Sequence, residues 1–391
     1  MIAPRLDRAV ADAPKPRTYT RPMPRTVVLR PYEDRDLPGT LELRPRVYPG
    51  WRDASDAAWH TAVYAWLGRN PVDAPTHRWV LDDGGSIVGH LAAVPLAYRI
   101  AGERVVAHTP TDYMALPGYG FHAVSLMRTF FATCPNYIAC NVGGDVTKIE
   151  GLFGPTRIAG LHQAVKVLDV GRYPRLPRAV PRPFATVAAS ALRAIDAVRL
   201  RAAREDLEVR DEDPATAFDT AFDRLFESAS AAVPCLAEKT SAFLRWRYGP
   251  GTPRPVQVLT VRASDGSLEG YAVIRTTGSS EGFILDLTTE PGRRDAASAL
   301  LAEAVRRFWR ERAFVVRYRY LPSVVSPPVT DLGRLGFRFP GGARGVLPGA
   351  RPERQLELAI RLADAVTQAT AVEPEHWAYN LGDGEASFWV P

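Results

Sequence analysis

Cysteine is scarce in this chain of 391 residues, which carries only Cys134, Cys140 and Cys235. An odd number with no Cys-x-x-Cys spacing argues against a disulfide framework and against a structural zinc motif, so no metal and a reducing cytoplasm are expected. Lysine is nearly as rare, since Lys15, Lys148, Lys166 and Lys239 are the only four among 49 basic residues. No stretch approaches the ~18 consecutive apolar residues of a membrane-spanning helix. The opening MIAPRLDRAVADAPKPRTYTRPMPR has arginine and proline where a secretory signal needs an apolar core. A cytoplasmic protein without a transmembrane segment is therefore expected. Walker loops, His-x-x-x-His pairs, Gly-x-Ser-x-Gly elbows and dinucleotide fingerprints are all missing, which sets aside the enzyme classes built on them.

What is present is ordinary for a globular chain: 46% hydrophobic and 24% charged residues over a length that suits two or three domains. The net charge of +6 is unevenly spread. Residues 1–25 carry +4 and residues 172–204 carry +7, leaving −5 on the rest. The basic excess thus sits in two segments, and no specific nucleic-acid partner is expected from a mildly acidic bulk.

Residues 1–25, with five prolines and no apolar period, read as a flexible tail. From Thr26 a short strand, a charged turn and a helix follow, with Asp34 or Asp36 as N-cap. A helix bearing Trp59, Val63 and Trp66 runs to about Leu67. RWVLDDGGSIVGHLAAVPLAYRIAGERVVAHTPTDYMAL then alternates β-rich runs with Gly-containing turns, as an antiparallel meander does. After Pro117-Gly118 the period changes to that of a helix, with Ala123, Leu126, Met127, Phe130 and Phe131 on its apolar face. The strand NYIACNV and the segment GLFGPTRIAGLH close the block. Residues 172–205 read as a Pro/Arg linker leading into an Ala- and Arg-rich helix, roughly 186–205.

The second block repeats the first. DGSLEGYAVIR, Asp265 to Arg275, matches the hairpin DGGSIVGHLAAV, with Gly270 where Gly89 stands. DLTTEPGRRDAASALLAEAV aligns without a gap on DYMALPGYGFHAVSLMRTFF at a constant offset of 174 residues. Asp286 falls on Asp112, Pro291-Gly292 on Pro117-Gly118, and the helix stripe recurs at Ala297, Leu300, Leu301, Ala304 and Val305. Each copy reads helix, meander, central strand, helix, strand, which is an α+β unit.

That order, the opening LRPYEDRDL, the Pro-Gly loop between meander and helix, and Leu335-Gly336-Phe337 near the end of the second copy resemble the Gcn5-related N-acetyltransferase superfamily. SAFLRWRYGPG, Ser241 to Gly251, is similar to the C-terminal half of its tandem bacterial members. The resemblance implies two tandem acyl-CoA N-acyltransferase domains, residues 26–171 and 206–391, each a mixed, mainly antiparallel sheet flanked by helices. It also implies acetyl-CoA as co-substrate, its pyrophosphate held by backbone N–H groups at a helix N-terminus. Such a terminus is an anion site on physical grounds alone. The positions implied are Leu116, Gly118, Gly120, Phe121 and Ala123, with Asn141 beside the pantetheine arm. In the second copy Arg293 and Arg294 offer charge to a phosphate instead. The family's tyrosine acid falls on Glu150 or Thr156.

Acyl transfer to an amine needs a group to accept the amine proton and a donor for the oxyanion. Asp112, on the strand before the loop, is the first candidate base, with Asp286 its equivalent; each is otherwise a strand-end cap. His122 at the helix start has a ring suited to proton transfer. Tyr119 and Tyr113 are candidate acids or half-buried aromatics. Cys134 and Cys140 offer an acyl-cysteine route, against which buried cysteines act as small hydrophobes. Trp246-Arg247-Tyr248 reads as packing rather than as a base-stacking platform.

The expectation is an N-acetyltransferase acting directly on a primary amine of a small molecule or amino sugar. An aminoacyl-tRNA-dependent aminoacyltransferase of the peptidoglycan-bridge type and a catalytically degenerate binding protein of the same fold are the alternatives.

Overall fold

The first half is built on a meander whose two tight turns fit the twist of its strands. The computed structural model describes residues 27–49, 56–142, 145–172, 193–201, 207–339 and 356–388. The tail 1–25 and the linker from 173 to 192 lie outside the described residues. Strand β1 (Val27–Pro31) pairs with β2 (His77–Asp83), which pairs with β3 (Ser86–Ile100), which pairs with β4 (Glu103–Ala115), all antiparallel. Gly84-Gly85 and Ala101-Gly102 all have positive φ, the two-residue turn that matches strand twist.

Between β1 and β2 lie α1 (Leu37–Val47) and α2 (Ala57–Leu67). Asp36 stands at the N-cap of α1, but its carboxylate accepts from the Glu33 N–H at 2.8 Å and from Arg30 at 2.7 and 2.8 Å. After the Pro-Gly loop comes α3 (Gly120–Thr133), whose expected stripe, Ala123 to Phe131, is buried. It packs with Val80, Leu91, Ala93 and Met114 of the meander. Strand β5 (Tyr137–Val142) runs parallel to β4, but only His108 and Tyr137 pair, and the two strands part beyond them. Helix α4 (Asp145–Gly151), β6 (Thr156–Gly160), β7 (His162–Val167) and a helix at 193–201, α5, complete this half of the chain.

The second half repeats the plan. Strands β8 (Val209–Glu212), β10 (Gln257–Arg262), β11 (Leu268–Thr276) and β12 (Glu281–Thr289) form the meander, with α6 (Thr220–Ala232), the short β9 (Cys235–Ala237) and α7 (Ser241–Tyr248) inserted after β8. Then follow α8 (Arg294–Arg310), β13 (Val315–Leu321) parallel to β12, and α9 (Val329–Arg334). The last part holds β14 (Leu356–Arg361), α10 (Ala365–Ala371) and β15 (Trp377–Asn380).

The repeat inferred from sequence is exact in register. Gly89 faces Leu81 and Ala115, and Gly270 faces Val261 and Thr289, three residues past Asp112 and Asp286 respectively. Both sites require glycine for room. A Cβ at Gly89 would lie 2.6 Å from Leu81 Cδ1, and one at Gly270 2.8 Å from Thr289 Cγ2. Each central strand also bulges a few residues from the glycine, opposite His90 to Ala92 in the first half and opposite Val273 and Ile274 in the second.

The last strands do not follow the division at 171 and 206. Strand β14 lies between β5 and β6, antiparallel to both, while β7 pairs along β13 from Val315–Val167 to Tyr320–His162. Each half is completed by a strand from the other half of the chain. The buried Lys166 fastens β7 there, donating to Leu335 O at 2.7 Å and pairing with Asp196 of α5 at 2.7 Å. Strands β3, β9, β15 and β13 bridge the halves, giving one 15-stranded sheet among the described residues.

Trp66 of α2 and Trp246 of α7 stack at 4.9 Å, and each indole donates to the other's carbonyl, at 2.8 and 2.9 Å. Trp246 is thus packed inside the interface. Among the described residues no helix is long and apolar enough to cross a membrane.

Strand exchange predicts the behaviour of the separated halves. Residues 1–205 and 206–391 expressed alone each leave a sheet edge unpaired, and both should be aggregated or unfolded. Co-expressed, they should elute as a folded 1:1 complex on size exclusion.

Candidate functional site

Asp112 is the extra residue of its bulge, with φ of 54°, a conformation that costs a non-glycine residue energy and needs support. The support is a closed set of partners. Arg44 of α1 donates to Oδ1, Tyr64 of α2 donates to Oδ2 at 2.7 Å, and His90 Nδ1 donates to the Asp112 carbonyl at 3.0 Å. Arg78 donates to His90 Nε2 at 3.3 Å, and its guanidinium lies 3.4 Å and 3.8 Å from the ring centres of Tyr32 and Tyr64. Burial opposes ionisation of Asp112, but Arg44 and its other partners outweigh it and hold the carboxyl below the ordinary carboxylate range. Burial pushes the His90 imidazole down to about 4, so it stays neutral.

An ionised, fully partnered and buried carboxylate is a poor proton acceptor. Held in this way, Asp112, the expected general base, anchors α1 and α2 to the central strand. Asp286 does the same in the second half. Lys239 donates to it at 2.8 Å, Tyr271 at 3.2 Å and Asn380 at 3.2 Å.

The loop before α3 is open. Leu116 N–H is tied to Val88 O at 2.9 Å and Gly118 has φ of 96°. A side chain at Gly120 would meet nothing within 4 Å, and Phe121 is 85% exposed. The first intrahelical bond runs from Ala123 N–H to Tyr119 O at 3.0 Å, so the amides of Gly120, Phe121 and His122 form the free first turn of a helix. His122 is half-buried beside them, its ring 6.4 Å from that of Tyr119. The Tyr119 hydroxyl is spent on Asp83 at 2.6 Å, and that of Tyr113 on Ala123 O at 2.7 Å. Asn141 pairs through its backbone with Glu357 of β14, and its side chain lies outside the described residues.

The equivalent loop of the second half is closed by its own chain. Thr289 N–H bonds Val325 O at 3.0 Å and Gly292 N–H bonds Val324 O at 2.8 Å. Arg293 is held by Glu269 and Asp295, and Arg294 by Asp331, so both guanidiniums expected to meet phosphate face carboxylates.

Where β4 and β5 part, the chain end fills the gap. After β15 the chain passes along both halves, and it places Glu385 against Thr109 of β4, whose hydroxyl donates to Oε2 at 3.1 Å. The Cys140 N–H of β5 also bonds this carboxylate. Burial pushes the Glu385 carboxyl up to about 7, with the carboxylate of Glu150 in α4 adding to it. Two residues earlier, Asp383 lies 3.0 Å from Lys239 and is also raised by burial. Ser387 and the carbonyls of Gly382 and Gly384 accept from the buried Arg247 at 2.7, 2.6 and 2.7 Å.

Glu150, one of the two positions aligned with the family's tyrosine acid, is buried and accepts from Tyr137. Thr156 is exposed at the start of β6. Burial pushes the Cys134 thiol up to about 12 and the Cys140 thiol well above its ordinary value, which removes the thiolate an acyl-cysteine route needs. Glu385 was not a sequence candidate, because nothing local marks it. The one available signal was a pair of acids among glycines, LGDGEAS, directly after the apolar strand WAYN.

No family model matches the sequence, and no curated protein matches it. Solved structures do. A GCN5-related N-acetyltransferase from Kribbella flavida is similar at 14% identity, over 88% of this chain and 73% of that one, with a TM-score of 0.55. A tandem GNAT protein from the clavulanic acid biosynthesis pathway is similar at 14% identity, over 87% and 99%, with a TM-score of 0.50. The fold is that of the GCN5-related N-acetyltransferases. The N-myristoyltransferase of Saccharomyces cerevisiae, solved with myristoyl-CoA, is also similar, at 12% identity over 90% and 83% with a TM-score of 0.55.

Two predictions follow from these carboxylates. Asp112→Asn removes one charge of the buried pair with Arg44 and the anion that Tyr64 bonds, and should cost about 3–5 kcal/mol in a denaturant titration. Glu385 has a folded value of about 7 against an ordinary 4.5, so the folded state holds its proton more tightly than the unfolded chain. Its contribution is complete below about 4.5 and lost as pH rises through about 7. Relative to Glu385→Gln, the wild type should lose about 3 kcal/mol across that window, read as the pH dependence of the difference in unfolding free energy.

Proposed function

We propose that this chain is an acyl-CoA-dependent N-acyltransferase that works through its first copy. The observation that carries the reading is the asymmetry of the two Pro-Gly loops. Past Gly118 the first turn of α3 is open and no charged side chain is tied down beside it, whereas at the second loop the Gly292 N–H is bonded to Val324 O and the guanidiniums of Arg293 and Arg294 already face carboxylates. A diphosphate suits the open turn, because free N–H groups and the helix dipole both favour negative charge there. Gly118 and Gly120 leave the backbone approachable, and His122 stands at the edge of the same turn.

The bound co-substrate would supply an activated acyl group as its thioester. What this chain supplies is position and a proton acceptor. Glu385 lies at the closed end of the gap between β4 and β5, and a carboxyl near 7 is matched to accepting the proton of an attacking amine at neutral pH. The same filled apex leaves little depth, which favours a short acyl group such as acetyl. A primary amine of a small molecule is the acceptor this reading takes, by direct transfer without an acylated side chain, since burial pushes up the Cys140 thiol beside the gap.

Calorimetry with acetyl-CoA and free CoA tests the first part. Both should bind the wild type, and Gly120→Glu, which meets open space, should fold normally and weaken both by roughly tenfold or more, about 1.4 kcal/mol. No heat with either ligand would sink the reading. For the second part, kcat/KM against an amine acceptor should rise with pH to a plateau with a break near 7. Glu385→Gln should lose that break and roughly 10²–10⁴-fold in rate.

A further inference from the structure

His77 at the start of β2, His108 in β4 and Cys134 just past α3 come from three elements, yet one ligating atom of each lies within 4.8 Å of the others. We propose that these three residues bind a zinc-class divalent cation, which ties β2 and β4 to the C-terminal end of α3.

The ring of His108 is already set for this. Its Nε2 lies 3.1 Å from Pro75 O, and a carbonyl can only accept, so Nε2 carries the hydrogen and Nδ1 keeps its lone pair. A metal-ligating histidine is commonly held in this way, its other nitrogen donating to a backbone carbonyl. His77 is stacked on Trp79, with ring centres 5.6 Å apart and planes at 15°, which fixes the second imidazole. His77 is half-buried, so an ion has a path from solvent, while Cys134 is fully buried beneath.

Two imidazoles and one thiolate, formed as the metal displaces the Cys134 proton to solvent, make a borderline-soft donor set. It selects zinc, cobalt or copper over magnesium or calcium, which want oxygen. Three protein ligands leave a fourth position for water. No spacing motif marks the site, because each ligand is delivered by a different element.

The site lies at the opposite end of α3 from the open loop, about 20 Å away for a helix of 14 residues. Its work is therefore to hold the helix onto the sheet, outside the acyl-transfer chemistry, and the test needs no activity.

Cobalt(II) titrated into full-length, chelator-treated protein should give a thiolate-to-cobalt charge-transfer band that saturates at one equivalent. Zinc should bleach it and magnesium should not. Cys134→Ser should abolish the band. His77→Ala, at a half-buried strand end, should keep the far-ultraviolet circular dichroism of the wild type. It should weaken binding by more than the roughly 10–100-fold that loss of an outer partner costs. One equivalent of zinc should raise the melting temperature of the wild type and leave that of His77→Ala unmoved. If Cys134→Ser does not fold, His77→Ala decides. A wild type without the thiolate band, a band that survives in either variant, or bleaching by magnesium overturns the proposal.

Discussion

Two sheet edges that could not be left open organise this molecule. The outer side of β5 and the outer side of β13 each carry a row of backbone N–H and C=O groups at the centre of a buried sheet. An unpaired buried backbone group costs as much as a lost hydrogen bond. Strand β14 satisfies the first row and β7 the second, each from the opposite half of the chain. The exchange dictates where the chain must go next. Having closed the first half with β14, the chain returns through α10 and β15 to pair with β13. It then runs along the seam, where Asn380, Asp383, Glu385 and the acceptors for Arg247 fall in sequence. The chemistry of the gap between β4 and β5 is thus set by a segment whose position depends on strand pairing elsewhere.

Within this frame the two copies have diverged by electrostatics more than by shape. The same aspartate stands within or beside a bulge of the central strand in each. In the first copy it meets an arginine from α1 and a tyrosine from α2, and in the second a lysine from the start of α7 and an asparagine from β15. Both solutions satisfy a buried carboxylate. They differ in what they do to the neighbouring loop. The residues after β12 are occupied by Val324 and Val325, and the guanidiniums there already face carboxylates. After β4, Pro117, Gly118, Gly120 and Phe121 are left exposed. The backbone of the two loops is alike, and what differs between them is the partners that the surrounding chain supplies.

Local pattern and non-local pairing divide what could be read from sequence. The meanders, the stripe of α3 and the repeat at an offset of 174 were legible, since turn glycines and apolar periods are written in neighbouring residues. Gly89 and Gly270 marked the repeat correctly because each is needed where two strands cross closely. The exchanged strands were not legible. LELAIR reads as a strand in any context, and nothing in it says that it lies between β5 and β6. Asp112 was placed rightly on its strand, and its partners were hidden for the same reason. Its base strength is decided by Arg44 and Tyr64, which stand 68 and 48 residues earlier.

Glu385 shows the converse. Asp383 and Glu385 lie two residues apart on the same chain end, and burial raises both. Asp383 shares Lys239 with Asp286, so two carboxylates divide one cation and the three make a structural knot. Glu385 instead faces a hydroxyl, an amide and the carboxylate of Glu150, none of which neutralises it. A group held so is poised near neutrality by its surroundings, costing stability when ionised. Such a cost is the kind a fold tolerates where a group has work to do, and this one lies where two strands of the GCN5-related N-acetyltransferase fold come apart.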